Sequence, residues 1–243
     1  MNTISIDSRQ ALMVAHRGAS VLEPENSCAA FLAASNRSYY GVETDVHVTK
    51  DGKIIVMHDD NAVRTTGTDL ILEETDFDTI RSLSLLPRPG EPARKDLIVP
   101  TLEEYVAICR RYDKVCVLEL KNPMPASAIA TVVDIIREMN YLEKTIFISF
   151  ALENLVEIRK LLPTQTVQYL AGKAWLGREQ ELLQTMVQLK MDLDVYYKFV
   201  TADIVRLCHA HGIKVNVWTV DDPEEARQLV EMGVDFITSN ILE

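Results

Sequence analysis

Short apolar runs rich in β-branched residues alternate with amphipathic stretches of helical period along this 243-residue chain. Such alternation is typical of a parallel sheet whose strands are joined by helices packed on the outside. The main strands are predicted at 12–16, 42–46, 115–120, 145–150, 166–170, 192–197, 214–220 and 235–239. A short additional strand, 54–58, follows the second of these. Eight main strands predict an α/β TIM (β/α)8 barrel, a fold that commonly takes about 250 residues.

The segment 60–100 interrupts the alternation. Its turn-forming residues are concentrated toward its end: Pro87, Pro89, Gly90, Pro92 and Pro100. Clusters of proline and glycine end regular elements and mark loops. We therefore predict a small insertion on one barrel rim, within a single domain that comprises residues 1–243.

Three helix starts can be predicted from local residue patterns. Thr101 followed three residues later by Glu104 is a capping box, and Asp222 before Pro223 is a second start signal. A further helix is expected to begin near Asn26, which can cap it, with Glu25 favoured there by the helix dipole. We expect Glu25 and Asn26 to support the first loop, with substrate or metal contact as the alternative.

Charge and cysteine content limit the possible partners. The chain has 25 basic and 36 acidic residues, a formal net charge of −11, which disfavours nucleic acid as a partner. The dispersed cysteines are read as buried thiols in a reducing compartment: Cys28, Cys109, Cys116 and Cys208. No apolar run approaches the roughly 20 residues of a membrane helix. We expect a cytoplasmic protein without stable membrane insertion. The sequence does not determine whether it forms a homo-oligomer.

Reactive side chains are predicted to meet at the carboxyl ends of the strands. His16 and His58 each end an apolar run, and Glu43 and Asp45 lie between them in the chain. Residues two apart share one strand face, so Glu43 pairs with Asp45 on the second main strand. Glu119 and Lys121 share a face of the third in the same way. Parallel α/β barrels carry their active sites at this end, so these residues indicate an active site.

Three carboxylates, Glu43, Asp45 and Glu119, would converge from neighbouring strands. Clustered anions raise one another's pKa values unless a cation joins them, and oxygen-only ligands select a hard divalent ion, Mg²⁺ or Ca²⁺. The alternative is that Glu43 or Glu119 only pairs with Lys121 or an arginine. The residue pattern leaves both open.

The ordered motifs of the chain resemble the glycerophosphodiester phosphodiesterase family, in its short, cytoplasmic bacterial form. The resemblance spans nearly the whole chain, and the number of pieces in the expected order makes it specific. The matching residues are His16-Arg17-Gly18, Pro24-Glu25-Asn26, Glu43-x-Asp45, Thr49-Lys50-Asp51-Gly52, His58-Asp59, Arg64-Thr65-Thr66, Glu119-x-Lys121, Ser149-Phe150, Trp218-Thr219-Val220 and Gly233-Val234-Asp235. The chain departs at Ser27, where many relatives have threonine, and at Thr238-Ser239-Asn240-Ile241, where relatives often have threonine, aspartate and a proline.

The resemblance implies a metal-dependent phosphoric diester hydrolase acting on glycerophosphocholine or glycerophosphoethanolamine, with sn-glycerol 3-phosphate and an alcohol as products. By the same resemblance Glu43, Asp45 and Glu119 hold the metal, and His16 and His58 form the general acid/base pair. Histidine titrates near neutrality and suits both roles. Which histidine is the acid stays open, as does direct attack by water against a cyclic phosphate intermediate. His47, His209 and His211 are assigned structural or surface roles.

Substrate contacts are expected at Arg17, Lys121 and Trp218. Arg17 can fork onto two phosphate oxygens, or it can form a salt bridge to Glu43 or Glu25. Lys121 can add charge for the transition state or balance Glu119. Trp218 can wall the glycerol pocket or pack in the core.

Two other functions compete with the hydrolase. One is a phospholipase D or C acting on lipids, which the lack of an obvious basic amphipathic helix disfavours. The other is a non-catalytic barrel that binds a phosphorylated metabolite, which the pair of histidines beside three carboxylates disfavours. Specificity is expected in the segment 60–100 and the other rim loops.

Overall fold

Parallel strands close into a barrel in the computed structural model, which describes residues 2–243. Its last strand returns to the first, since β1 pairs in parallel with both β2 and β9. The strands are β1 (Leu12–Ala15), β2 (Gly41–Val48), β3 (Ile54–Val56), β4 (Val115–Leu120), β5 (Thr145–Ser149), β6 (Val167–Ala171), β7 (Asp192–Tyr196), β8 (Val215–Trp218) and β9 (Phe236–Ser239). All except β3 form the barrel, and β3 extends the sheet as an antiparallel partner of β2. The predicted TIM barrel is confirmed.

Helices cover the outside of this barrel. They are α1 (Cys28–Ser35), α2 (Val63–Thr66), α3 (Phe77–Arg81), α4 (Leu102–Arg111), α5 (Ala126–Glu138), α6 (Leu152–Leu161), α7 (Glu179–Leu189), α8 (Ala202–Ala210) and α9 (Pro223–Met232). Among residues 2–243, no helix combines the length and apolar character needed to cross a membrane. Cys109, Cys116 and Cys208 are buried as expected, whereas Cys28 is partly exposed because it opens α1 at the surface.

Two of the predicted helix starts are present. The Thr101 hydroxyl accepts from the Glu104 backbone N–H while the Glu104 carboxylate accepts from the Thr101 N–H, which completes the capping box of α4. Asp222 caps α9, and Pro223 occupies its first position. The expected cap at Asn26 is wrong, because Ser27 caps α1 and accepts from the Ala30 N–H.

The segment 60–100 carries α2 and α3 and lies beside β3. Its apolar side chains form a second buried cluster together with Ile55 of β3 and Met57 just after it. The members from the segment are Ala62, Leu72, Ile80, Leu85, Leu97 and Val99. Arg64 ties the segment to the first loop, since its guanidinium pairs with Glu25 and Asp59. The segment is therefore anchored next to the loop that carries His16.

The barrel interior contains an apolar cluster and a hydrogen-bonded polar group. Apolar side chains such as Val14, Val117 and Phe236 pack in an interior cluster. A hydrogen-bonded group crosses β6, β8 and β9, in which Asn216 donates to Gln168 and accepts from Thr238. A barrel of this size is filled by side chains and has no pore. Cavity space is left where the strands end, and His16 and His58 line it.

The strand bounds differ from the predicted ones by one to two residues at most ends. β1 ends at Ala15 and β3 at Val56, so His16 and His58 follow their strands instead of ending them. β8 is shorter than predicted and ends at Trp218. The histidines therefore belong to the loops of the barrel mouth.

Candidate active site

A tight turn after β1 sets the first side of the site. Arg17 has φ 55° and Gly18 has φ 78°, so two consecutive residues adopt the left-handed conformation. A Cβ on Gly18 would lie 2.6 Å from the Ala30 backbone carbon, which leaves room for glycine alone without a shift of the chain. The turn directs the Arg17 backbone N–H to the Glu43 Oε2, at 2.8 Å.

Three carboxylates meet at the end of β2 and β4. Glu43 and Asp45 share a face of β2, and Asp45 lies opposite Glu119 in the parallel pairing with β4. One oxygen from each lies within 4.8 Å of the other two, and all three residues are buried. The Asp45 Oδ1 is buried without a hydrogen-bond partner among residues 2–243. The structure thus brings together the three residues that the sequence pattern placed on neighbouring strands.

The pKa values of these groups show an excess of negative charge. Burial and the charge of Asp45 raise the pKa of Glu119 to about 7, and they raise the pKa of Glu43 well above its usual value. Burial acts on Asp45 in the same direction, but Lys121 and Arg17 outweigh it and lower its pKa. An orphaned buried oxygen and two carboxyls that resist ionisation fit a hard divalent cation.

Two cations border the triad. The Lys121 Nζ lies 2.8 Å from Glu119 Oε1 and 3.6 Å from Asp45 Oδ1. The Arg17 Nη1 lies 2.9 Å from Glu25 Oε1, and its Nε lies 3.6 Å from Asp45 Oδ2. The salt bridges that competed with substrate contact are therefore present. The buried Arg17 Nε still has no hydrogen-bond partner among residues 2–243.

The two mouth histidines are held at Nδ1 by different groups. His16 Nδ1 lies 2.8 Å from the Asn240 side-chain oxygen, and His58 Nδ1 lies 2.7 Å from an Asp59 oxygen. An acceptor at Nδ1 keeps the proton there and leaves Nε2 as the basic atom. Burial and the Arg17 charge lower the pKa of His16 to about 4. Burial also lowers the pKa of His58, although Asp45 and Asp59 act against it.

Asn26 orients the aspartate of the carboxylate triad. Its side-chain N–H donates to Asp45 Oδ2 at 2.8 Å, and its side-chain oxygen accepts from the Thr44 hydroxyl at 2.7 Å. Asn26 has φ 53° and is buried, so it belongs to the site and not to the helix start. Its support of the first loop acts through Asp45.

A cavity lies between two unlike walls. Its charged wall is formed by His16, Arg17, Glu43, His58 and Glu119. Its other wall contains Ile148, Phe150, Leu170, Asp194, Trp218 and Thr238. Lys121 opens onto an adjoining space that shares Glu119 and Phe150 with this cavity, and Asp45 lies buried beneath the charged wall.

Trp218 lies in the cavity wall and also packs on neighbouring rings. Its ring contacts Phe150 edge to face at a centroid distance of 5.6 Å and Tyr196 at 5.7 Å. Its buried Nε1 has no acceptor among residues 2–243. Trp218 therefore combines a place in the cavity wall with packing on neighbouring aromatic rings.

The sequence pattern missed Asp194 and Asn240. Asp194 sits inside the otherwise apolar center of β7, and an acid within a buried strand was the signal available for it. Asn240 was noted only as a departure, yet it is the partner of His16, because barrel closure brings the chain end to β1.

The remaining histidines lie outside the cavity wall. His47 is buried with Nε2 3.2 Å from the His58 carbonyl oxygen, and His209 Nε2 lies 2.8 Å from Asp235. His211 is the exposed cap residue of α8. These contacts match the structural and surface roles expected of them.

Comparison with known proteins identifies the family. Residues 16–242 match the Glycerophosphoryl diester phosphodiesterase family. The glycerophosphodiester phosphodiesterase of Caldanaerobacter subterraneus subsp. tengcongensis is 28% identical over 95% of this chain and 94% of its own length. That of Bacillus subtilis is 30% identical over 98% of this chain and 86% of its own.

A solved structure agrees with these relatives. The Oleispira antarctica phosphodiesterase in complex with the product sn-glycerol-3-phosphate superposes with a TM-score of 0.83 and 26% identity, over 98% of this chain and 96% of that one. The chain therefore belongs to the glycerophosphoryl diester phosphodiesterase family, and it is a phosphoric diester hydrolase.

Proposed function

We propose that the protein hydrolyses glycerophosphodiesters such as glycerophosphocholine and glycerophosphoethanolamine to sn-glycerol 3-phosphate and an alcohol, with a divalent metal and two histidines. The observation that carries the proposal is the pair of Nδ1-anchored histidines beside a buried carboxylate triad in one cavity. The product-bound Oleispira antarctica relative supports the substrate class.

Glu43, Asp45 and Glu119 would hold Mg²⁺ or Ca²⁺. When bound, such an ion neutralises phosphate charge and stabilises the charge that grows in the transition state. Asn26 keeps Asp45 in place through its hydrogen bond to Oδ2. Lys121 and Arg17 keep Asp45 ionised by holding its pKa down against burial.

His16 acts as the general base and His58 as the general acid. His16 remains neutral because its pKa is lowered to about 4, so its Nε2 can take a proton from the attacking hydroxyl. His58 is paired with the carboxylate of Asp59, which favours its protonated form more than the neutral amide of Asn240 favours that of His16. The attacking oxygen forms a bond to phosphorus, the bond to the head-group oxygen breaks, and that oxygen takes the His58 proton.

The other wall of the cavity and its cations bind the substrate. Arg17 contributes its unpartnered Nε and Lys121 its ammonium to phosphate oxygens. Trp218 and Phe150 provide an apolar wall for the carbon chain of glycerol. The attacking hydroxyl is either that of water or the 2-hydroxyl of glycerol. In the second route the first product is a cyclic phosphate, and water must then add to phosphorus and break one ring P–O bond to give sn-glycerol 3-phosphate. Loss of cleavage on a 2-deoxy substrate would identify the second route.

Two further parts of the proposal concern the whole chain. Residues 1–243 act as one domain with 60–100 as a rim insertion, anchored beside the first loop by Arg64. The free cysteines among residues 2–243 suit a reducing compartment, which supports a cytoplasmic location.

The test measures release of sn-glycerol 3-phosphate from both substrates, with Mg²⁺, Ca²⁺ or chelator, for the parent and His16→Ala. We expect release that requires metal and falls by about 10²–10⁴-fold in the variant, the usual contribution of a general acid or base. His211→Ala is the matched control, since His211 is exposed on α8 away from the cavity wall. Metal-independent release, or equal rates for the parent and His16→Ala, would contradict the mechanism. Turnover of intact or lyso-lipids alone would favour a phospholipase, and binding without turnover a metabolite-binding barrel.

A further inference from the structure

Arg64 is an arginine of the segment 60–100 that the mechanism above does not use. It lies in the short helix α2, outside the wall of the active-site cavity. Its guanidinium forks onto two carboxylates at once. Nε and Nη2 donate to Asp59, while Nη1 and Nη2 donate to Glu25 at 2.8 Å each. A planar guanidinium holds both partners in one geometry, which a lysine ammonium cannot do.

Both carboxylates also contact a residue of the cavity wall. Asp59 Oδ1 accepts from His58 Nδ1 at 2.7 Å, and Glu25 Oε1 accepts from Arg17 Nη1 at 2.9 Å. His58 lies in the loop after β3 and Arg17 in the loop after β1. Arg64 therefore joins two sides of the barrel mouth, with one carboxylate between it and each residue of the wall.

The Asp59 carboxylate depends on Arg64 for its orientation. Among residues 2–243, Arg64 supplies two of the three side-chain hydrogen bonds that Asp59 accepts, and His58 supplies the third. The hydrogen bonds from Arg64 are also the largest cause of the lowered pKa of Asp59, so this group stays ionised beside the imidazole. A carboxylate that is fixed and charged orients the His58 ring and favours its protonated form.

The position of Arg64 is set by the core of the segment. Ala62, which precedes α2, is fully buried in the second cluster, and the Leu86 N–H donates to the Thr65 carbonyl oxygen at 2.7 Å. The Arg64 side chain itself is 48% exposed, and salt bridges this exposed contribute little to the stability of a fold. Arg64 therefore acts on the site through geometry more than through stability.

We propose that Arg64 is a positioning residue that, through Asp59, holds the His58 ring in place to protonate the leaving head-group oxygen. The inference rests on the proposed function, because it takes His58 as the general acid. Glu25 holds the guanidinium from the opposite side. The proton passes from His58 to the head-group oxygen as the bond between that oxygen and phosphorus breaks. Arg64 itself gives up no proton and does not touch the substrate.

Two substrates that differ only in the leaving group isolate this role. One is glycerophosphoethanolamine, whose alkoxide must be protonated as it leaves. The other is sn-glycerol 3-phosphate esterified to p-nitrophenol, whose phenolate leaves without a proton. kcat/KM is measured on both, with saturating metal, for the parent, Arg64→Gln and His58→Ala. The ratio of the two values on one preparation does not depend on how much of the protein is folded.

We expect Arg64→Gln to lower kcat/KM on glycerophosphoethanolamine, relative to the p-nitrophenyl ester, by about tenfold, a part of the 10²–10⁴-fold that a general acid contributes. His58→Ala should show the same selectivity with a larger loss. Arg64→Lys keeps the charge without the fork and should recover little of the loss. Once Asp59→Asn is present, adding Arg64→Gln should lower the ratio no further, because Arg64 acts through Asp59.

Arg94→Gln is the matched control. Arg94 belongs to the same segment and ties it to the first loop, but it pairs with Glu23 and Asp96 in place of Glu25 and Asp59. The ratio should stay at the parent value in this variant. A fall equal to that of Arg64→Gln would mean that attachment of the segment matters and not the contact with Asp59, which overturns the inference.

The remaining outcomes separate this inference from the proposed function. Equal losses on the two substrates in Arg64→Gln, full recovery in Arg64→Lys, or independent effects of Arg64→Gln and Asp59→Asn would each overturn the role of Arg64. The proposed function would still stand if the parent releases sn-glycerol 3-phosphate with metal. A parent that releases none would overturn the proposed function, and equal losses on both substrates in His58→Ala would overturn its general acid; the role of Arg64 falls with either.

Discussion

At the scale of single residues, the two mouth histidines differ in the group that holds them. Asp59 offers a carboxylate to His58, whereas Asn240 offers a neutral amide oxygen to His16. Asn240 is itself fixed, because its side-chain N–H donates to Asp221 at 2.7 Å. A carboxylate stabilises the imidazolium form far more than an amide does. Burial and the Arg17 charge lower the pKa of His16, and the group at position 240 acts against them, so a change at 240 alters how readily His16 takes a proton.

We predict that Asn240→Asp raises the pKa of His16, because the new carboxylate favours the charged ring. The acid limb of the kcat/KM profile should then move to higher pH by about one unit, so that activity falls at acid pH. The profile is measured on glycerophosphocholine with saturating metal.

The matched control for this change is Asn240→Asp combined with Asp221→Asn. This exchange restores a donor opposite position 240 and avoids two facing carboxylates, and it should show the same shift. An acid limb that stays in place in both proteins would contradict the assignment of His16 as the base.

At the scale of elements, the turn between β1 and α1 has the strictest backbone requirement in the site. Gly18 and Gly52 both have φ 78°, but only Gly18 has backbone atoms where a Cβ would stand. The turn between β2 and β3, which holds Gly52, has nothing within 4 Å of that position. Substituting each glycine in turn therefore separates two effects: both positions have the left-handed backbone strain, and only Gly18 also has steric overlap.

We predict that Gly18→Ala destabilises the protein more than Gly52→Ala. Both substitutions carry the left-handed strain of about 1–2 kcal/mol. Gly18→Ala adds an overlap with Ala30 on α1, which we expect to cost a further 1–3 kcal/mol or so. Denaturant unfolding measures the difference in the free energy of unfolding. Equal losses in the free energy of unfolding would mean that α1 can shift away from the new Cβ without destabilising the protein.

At the scale of the whole molecule, an acidic chain concentrates buried negative charge at one end of its barrel. Glu119 has a pKa of about 7 in the fold, raised by burial and by Asp45 from a value near 4.5. A group with a raised folded pKa adds stability below its unfolded pKa and loses that contribution as pH rises through the folded value. Without metal, the Glu119 contribution is therefore complete at pH 4 and lost above roughly pH 7.

We predict that Glu119→Gln is more stable than the parent at pH 8 in chelator and differs little from it at pH 5. The lowered pKa values of His16 and His58 make the fold more stable as pH rises, which opposes the Glu119 effect. Both proteins contain these histidines, so their contribution cancels when the variant is compared with the parent. Melting temperatures at both pH values measure the effect. Saturating Mg²⁺ or Ca²⁺ should reverse the order at pH 8, because the parent alone keeps the full triad.

A parent that is the more stable protein at pH 8 in chelator would mean that the Lys121 ion pair, 2.8 Å from Glu119, outweighs burial. An order unchanged by either metal would contradict the metal site itself.

The barrel and the convergence of three carboxylates could be predicted from the sequence, because both follow from the alternation within strands and from the order of the strands. Residues two apart share a strand face, so Glu43 with Asp45 and Glu119 with Lys121 follow from alternation alone. The capping box at Thr101 is equally local and was found where it was expected. What could not be predicted are the partners of loop residues and of buried polar residues, which strand alternation does not specify.

Asn26, Asn240 and Asp194 depend on the tertiary structure. Asn26 has the composition of a helix cap, yet the closure of the first loop over β2 brings it to Asp45 instead. Asn240 reaches His16 only because β9 pairs with β1, which joins positions 224 residues apart. Asp194 lines the cavity because barrel closure places β7 across from β2. The sequence by itself determined the barrel, the family and the reactive groups through short-range periodicity and motif order, and barrel closure alone decided which polar groups hold, orient and face one another.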